Sequence, residues 1–198
     1  MRRQLALVAG FVMGVMLPSA AHALTVGGAD IVPSTALVPL ASFPLTQIHD
    51  GITSDNPFNG FGSASPSGVI TLDLVGEFDL TKFLLWNDIN VFLEGIKDFR
   101  LDFFDSLDMA IAVGFDPTYV GPQGQLAVAE YVFDDVVPGV SRVDLVVLSS
   151  HVGVATQIEI REVAFEAVPE LSVSHALALT ASTLLGLRRL ARLRSLRG

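Results

Sequence analysis

The stretch LDFFDSLD sets Asp102, Asp105 and Asp108 three residues apart. Paired carboxylates are what glycoside hydrolysis uses, one as general acid and the other as nucleophile or base. That spacing aligns side chains only on a helix, and no helical pattern surrounds these residues, so they also read as solvated loop positions of an acidic chain. Other reactive types are scarce. The chain has no cysteine, which excludes thiol chemistry and disulfides. His49 and His151 are the only histidines between Leu24 and Pro169, too few for a histidine-rich metal site. A Ser–His–Asp arrangement survives the count, but no Gly-x-Ser-x-Gly elbow is present, and GFGSAS reads as flexible loop. Trp86, in LLWNDIN, could stack on a pyranose ring, or could be a core residue because it shares parity with Leu84. Asn87 and Asp88 read as turn residues closing that strand.

Glu162 stands out by parity. Ile158 and Ile160 share one face of a strand, so strict alternation points Glu162 inward with them, while Val163 and Phe165 resume the apolar set on the other parity. Either a bulge shifts the register near Arg161-Glu162, or Glu162 is buried at the end of a sheet and needs a cation.

These residues must be positioned by short β-rich runs. Candidate strands are Gly68–Leu74, Thr81–Trp86, Ile96–Phe104, Met109–Phe115, Gln125–Phe133, Ser141–Leu148 and Ala155–Ala167. Thr81–Trp86 is apolar on both faces, as a central strand would be. Turn signals at Asp116-Pro117, Gly121-Pro122 and Pro138-Gly139 fall between the runs. Many short strands without an amphipathic helix predict an all-β fold, an antiparallel sandwich. Residues 24–46 read as a lead-in with one edge strand. The Gly-, Ser-, Asn- and Pro-rich segment 47–68 reads as a long loop of the kind that carries function.

Charge and hydropathy divide the chain. Of its 12 basic residues, Arg2, Arg3, Arg188, Arg189, Arg192, Arg194 and Arg197 stand at the two ends. The body keeps Lys82, Lys97, Arg100, Arg142 and Arg161 against most of the 21 acidic residues. Such a body repels nucleic acid and anionic membrane surfaces and suits cations or neutral ligands such as sugars. Residues 1–23 have the layout of a secretory signal: a basic start, an apolar core from Leu5 to Pro18, and the small-x-small pattern Ala21-His22-Ala23. Signal peptidase is the partner expected there, and Leu24 the mature N-terminus. At the other end, Leu171–Leu187 reads as an apolar helix near the lower length limit for a bilayer crossing, with the arginine cluster expected to stay cytoplasmic.

Val168, Pro169 and Glu170, the apolar segment and the arginine cluster together resemble the PEP-CTERM sorting signal of Gram-negative bacteria that make extracellular polysaccharide. That resemblance implies a precursor held in the inner membrane, processing by an exosortase-like protease, and a destination at the cell surface or in the extracellular matrix. The family usually reads Pro-Glu-Pro, whereas Leu171 follows Glu170 here.

In the body, IHDGITSDNPFNGF, GVITLDL, LTKFLLWND, GIKDFRLDFFDS and IEIREVAFEA resemble, in that order, the galactose-binding-like jelly roll of discoidin or F5/8 type C domains. Asp50-Gly51 matches the early loop, Asp73-Leu74 with Gly76 the strand end, and Glu162-Val163 the last strand. Val75 interrupts the middle match. The resemblance implies a β-sandwich over 47–167 that binds carbohydrate through loops at one end. It also implies a structural Ca²⁺ between Asp50 and Glu162. Asp55, Asn56 and nearby carbonyls are further oxygen donors of the type Ca²⁺ prefers. The expected protein is therefore non-enzymatic and exported, binding exopolysaccharide. A matrix adhesion component without a sugar site, and a glycan hydrolase on the same scaffold, are the alternatives.

Overall fold

The computed structural model describes residues 23–54, 59–87, 94–111, 118–123, 127–151 and 157–169. The expected signal helix, Ala21, Asp55, Asn56, Glu170, the apolar tail and its arginine cluster lie outside the described residues. Among the described residues, no helix is long and apolar enough to cross a membrane.

Nine strands build the body: β1 (Leu24–Val26), β2 (Ile31–Thr35), β3 (Phe61–Ser63), β4 (Gly68–Trp86), β5 (Asp98–Phe104), β6 (Thr118–Val120), β7 (Ala129–Val147), β8 (Ile158–Ile160) and β9 (Glu162–Ala167). Seven of them form one sheet in the order β1-β9-β4-β7-β5-β6, with β2 also on β4, and β3 pairs with β8 separately. Every strand pair is antiparallel. The expected antiparallel sandwich is the fold found.

One sheet becomes two layers because β4 and β7 bend. Their register shifts between Asp73 and Phe78, again before Leu80, and again before Lys82. Gly76 at φ 134° and Gly139 at φ 62° take the left-handed backbone that these bulges require. The first half of β4 pairs with β2 and the second half with β9, while β7 follows both halves and carries β5 at its far end. The layers then face each other through aromatic rings. Phe83 meets Phe99 at 5.8 Å, Tyr131 meets Phe99 at 5.2 Å, and Phe133 meets Phe103 at 5.3 Å. Around them Ile70, Leu72, Leu80, Leu85, Leu101, Val143, Leu145, Val163 and Phe165 are buried in one continuous core. Rings of this size dominate core energetics by the area they bury.

Several boundaries differ from the sequence reading. Gly68–Leu74 and Thr81–Trp86 are one strand, as are most of Gln125–Phe133 and Ser141–Leu148, because the intervening bulges keep hydrogen-bonding. Residues 24–46, expected to hold one edge strand, supply two. The 47–68 segment contains β3 and the buried Ile48 and Phe61. The Ala155–Ala167 run is broken at Arg161, which separates β8 in the small sheet from β9 in the large one. Met109–Phe115 overlaps residues outside those described. Its described part makes only an isolated bridge, Phe104 with Ala110, and β6 falls at Thr118–Val120 instead.

Candidate functional site

At Arg161 the chain changes sheet, and that switch buries three charged residues in succession along the backbone. Glu159, Arg161 and Glu162 are 2%, 1% and 3% exposed. The backbone N–H of Arg161 donates to the carbonyl of Trp86 at 2.9 Å, and its guanidinium Nη1 donates to the Thr53 carbonyl at 3.4 Å. The register breaks, and the carboxylate is buried.

The loop after Ile48 folds over that carboxylate. Gly51, at φ 83°, turns the chain so that its N–H donates to Glu162 Oε1 at 3.1 Å. Glu162 Oε2 is buried and has no hydrogen-bond partner. Asp50 is held beside it. Its Oδ1 accepts from the Ile52 N–H at 3.0 Å, and Asn59 Nδ2 donates to Oδ1 and Oδ2 at 3.0 and 3.1 Å. Upstream, the His49 ring donates through Nδ1–H to the Gly28 carbonyl at 2.8 Å, fixing the loop base. Burial pushes the Glu162 carboxyl up to about 7. The negative charge of Asp50 adds to the rise, while the Gly51 N–H opposes it. The two carboxylates expected to act together are thus brought together.

A buried carboxylate oxygen without a donor, next to a second carboxylate, is a site short of positive charge. The donors are hard oxygens, which suits Ca²⁺ better than a transition metal. Asp50 and Glu162 fit such an ion. Among the described residues no group of three or more His, Cys, Asp or Glu side chains converges, so the remaining ligands would be carbonyls, amides or water.

A second cluster at the same end was not legible. Asn87 is fully buried, and its Nδ2 donates to the carbonyls of Ile96 at 2.7 Å and Pro122 at 2.8 Å. The His151 ring donates from Nε2–H to the Gly121 carbonyl at 2.8 Å, and the His151 backbone N–H donates to Gly95 at 3.2 Å. This knot joins the end of β4 to the segments around Gly95, Gly121 and His151. Asn87 is therefore a clamp between chain segments distant in sequence rather than a simple turn residue. Trp86, beside it, is half-buried on the face of β4 opposite Phe83 and Leu85 and lies outside the core cluster. Trp86 does share a face with Leu84, but after the register shift before Lys82 it is Phe83 and Leu85 that join the core cluster, and Leu84, though buried, lies outside it.

The three spaced aspartates are each engaged in structure. Arg100 grips Asp102 through Nε and Nη2 at 2.7 and 2.8 Å. Asp105 Oδ1 accepts the N–H groups of Leu107 and Met109, both at 2.9 Å, and closes a tight turn. Asp108, at φ 61°, completes that turn and pairs with Arg142. Solvent-exposed pairs of this kind contribute little. Asp102→Asn is expected to shift the melting temperature by no more than about 3 °C and to leave ligand binding unchanged. Loss of a glycan-cleaving activity on this substitution would instead restore the hydrolase alternative.

No family model and no curated protein matches the sequence. Solved structures do match in fold. The family 32 carbohydrate-binding module of C. perfringens NanJ, in complex with galactose, superposes with TM-score 0.58 at 10% identity, covering 73% of this chain and 99% of that one. The F5/8 type C domain of a Bacteroides fragilis protein gives 0.59 at 9% identity, over 74% and 97% of the two chains. A Clostridium perfringens family 32 module bound to GalNAc-β-1,3-galactose gives 0.57 at 14% identity, over 73% and 100%. The body of this protein has the fold shared by family 32 carbohydrate-binding modules and F5/8 type C domains.

Proposed function

We propose that this protein is a non-catalytic carbohydrate-binding module, exported through its N-terminal signal and sorted to the cell surface or matrix through its PEP-CTERM-like tail. The observation that carries this reading is the near-complete coverage of modules solved with galactose-containing sugars by this chain's fold. The acidic body and its exposed end loops are consistent with a neutral ligand. Leu24 pairs with Ala167, so both ends of the body leave from one corner. Glu162, Asp50 and the Asn87 knot lie toward the other end of β9, about 17 Å away along a six-residue strand. A tether at either chain end therefore leaves those loops facing outward.

Ca²⁺ at Asp50 and Glu162 belongs to the same proposal. Bound there, it supplies the positive charge that the buried Glu162 carboxylate lacks and ties the Asp50 segment to β9. Exopolysaccharide is the proposed partner, and an exosortase-like protease acts on the tail.

The test uses residues 24–169, which contain every strand of both sheets. Retention of this fragment on polysaccharide from its own cell, competed by free galactose or N-acetylgalactosamine, is the expected result. Absence of retention on any polysaccharide, with the fragment folded, would leave a matrix component that contacts protein instead.

A further inference from the structure

The body begins with no spacer after the Ala21-His22-Ala23 pattern. β1 starts at Leu24, whose backbone lies opposite Ala167, with Thr25 opposite Glu166 and Val26 opposite Phe165. Val26 is fully buried in the core, while Leu24 is still 43% exposed at the corner. Directly behind β1, a Cβ placed on Gly27 would touch the Ala164 side chain at 3.4 Å, so this segment lies close against β9. The residue that would follow the scissile bond is thus already paired in a sheet.

A protease that reads its substrate as an extended strand needs that backbone free to pair with the enzyme. β1 is the edge strand of its sheet, but with Leu24 held against β9 a protease cleft cannot close around both sides of the Ala23–Leu24 bond. β9 keeps its other neighbour throughout, since Leu80–Trp86 of β4 pairs along it from Ala167 to Glu162. β1 can therefore leave without β9 leaving. With β1 away, β9 would still be paired with β4 along its length.

We propose that cleavage after Ala23 and docking of β1 on β9 exclude one another, so that docking of this edge strand in the precursor delays removal of the signal. The inference rests on reading residues 1–23 as a cleaved signal. While the signal remains, the β9 edge spends part of its time open. Cleavage then proceeds at the full rate multiplied by the fraction of molecules with β1 undocked.

The experiment compares two full-length precursors, purified folded in detergent and treated with solubilised signal peptidase. One is the natural chain. The other carries a short Gly-Ser spacer inserted between Ala23 and Leu24, which lets β1 dock while the cleavage site stays free. The natural precursor is expected to be cut at least about tenfold more slowly than the spacer form, and Val26→Lys, which weakens β1 docking, is expected to recover most of that loss. Equal rates for the natural and spacer precursors would overturn the inference while leaving the signal intact. No cleavage of either form, or a mature N-terminus other than Leu24, would overturn the reading of residues 1–23 and the inference with it.

Discussion

In the presence of chelator, the 24–169 fragment is expected to lose stability as the pH rises from 4.5 to 7, and saturating Ca²⁺ is expected to abolish that loss. The sign follows from Glu162. Its carboxyl titrates near 4.5 in an unfolded chain and is pushed up to about 7 when buried. Between those values the folded protein holds a proton that the unfolded chain has released, so raising the pH favours unfolding. The difference of about two and a half units corresponds to at most about 3 kcal/mol, complete once the pH exceeds 7. Calcium requires the carboxylate, so binding releases the proton and tightens as the pH climbs through 7. At a hundredfold excess over its dissociation constant it contributes about 2.7 kcal/mol, roughly 5–10 °C in melting temperature for a domain of this size. Glu162→Gln separates the two effects. The amide retains an oxygen to accept the Gly51 N–H but carries no charge to bury. At pH 8 with chelator the variant should therefore melt above the natural fragment, and calcium should no longer move it. A natural fragment whose melting is the same with chelator and with calcium at pH 8 would remove the ion from this account.

Half of that site was legible from a local signal in the sequence. Glu162 breaks the alternation of Ile158, Ile160, Val163 and Phe165 within a few residues, whereas Asp50 was set beside it only by the resemblance to discoidin-type domains. Glu162 is buried where that break falls, and the Gly51 N–H closes the loop onto it. The sandwich itself was legible in the same way, since alternation over Gly68–Leu74 and Ile96–Phe104 matches inward faces that are buried. Connection between strands was not. Val75-Gly76-Glu77 and Pro138-Gly139 have the composition of turns, and in isolation they would be turns. Here the Gly139 N–H donates to Asp79 Oδ1 at 2.9 Å, which binds the two bulges together and carries both strands through. Pro138 costs no ladder bond at a bulge, where the pairing is already interrupted. Trp86 was misplaced differently: it does share a face with Leu84, but that face lies outside the core cluster that Phe83 and Leu85 join. Asn87 and Arg161 were invisible for another reason. Their roles depend on carbonyls of Ile96, Pro122 and Thr53, and no pattern within one strand encodes a partner on a distant loop.

That dependence on distant partners gives the second large effect. Gly121→Ala is expected to lower the melting temperature of the 24–169 fragment by about 10 °C, corresponding to about 3 kcal/mol or more. A Cβ on Gly121 would stand 2.3 Å from the Ile96 carbonyl oxygen and 2.8 Å from Asn87 Nδ2. The first contact is with backbone, which cannot rotate away, so the two segments must separate. Separation stretches the 2.6 Å bond from the Gly121 N–H to the Lys97 carbonyl and both bonds made by Asn87. Buried carbonyls left without donors cost about 1–3 kcal/mol each. Asn87→Ala removes the clamp directly and should cost a similar amount without any clash, because it abandons the same two carbonyls. The two changes act on one structure, so the double variant should lose much less than the sum of the single losses. Additive losses would mean that Gly121 and Asn87 support separate contacts. A Gly121→Ala protein melting within about 1 °C of the natural fragment would show that the loops around Ile96 and Pro122 yield freely. In that case the end of the sandwich assigned here to ligand binding would lack the rigid base that a preorganised site requires.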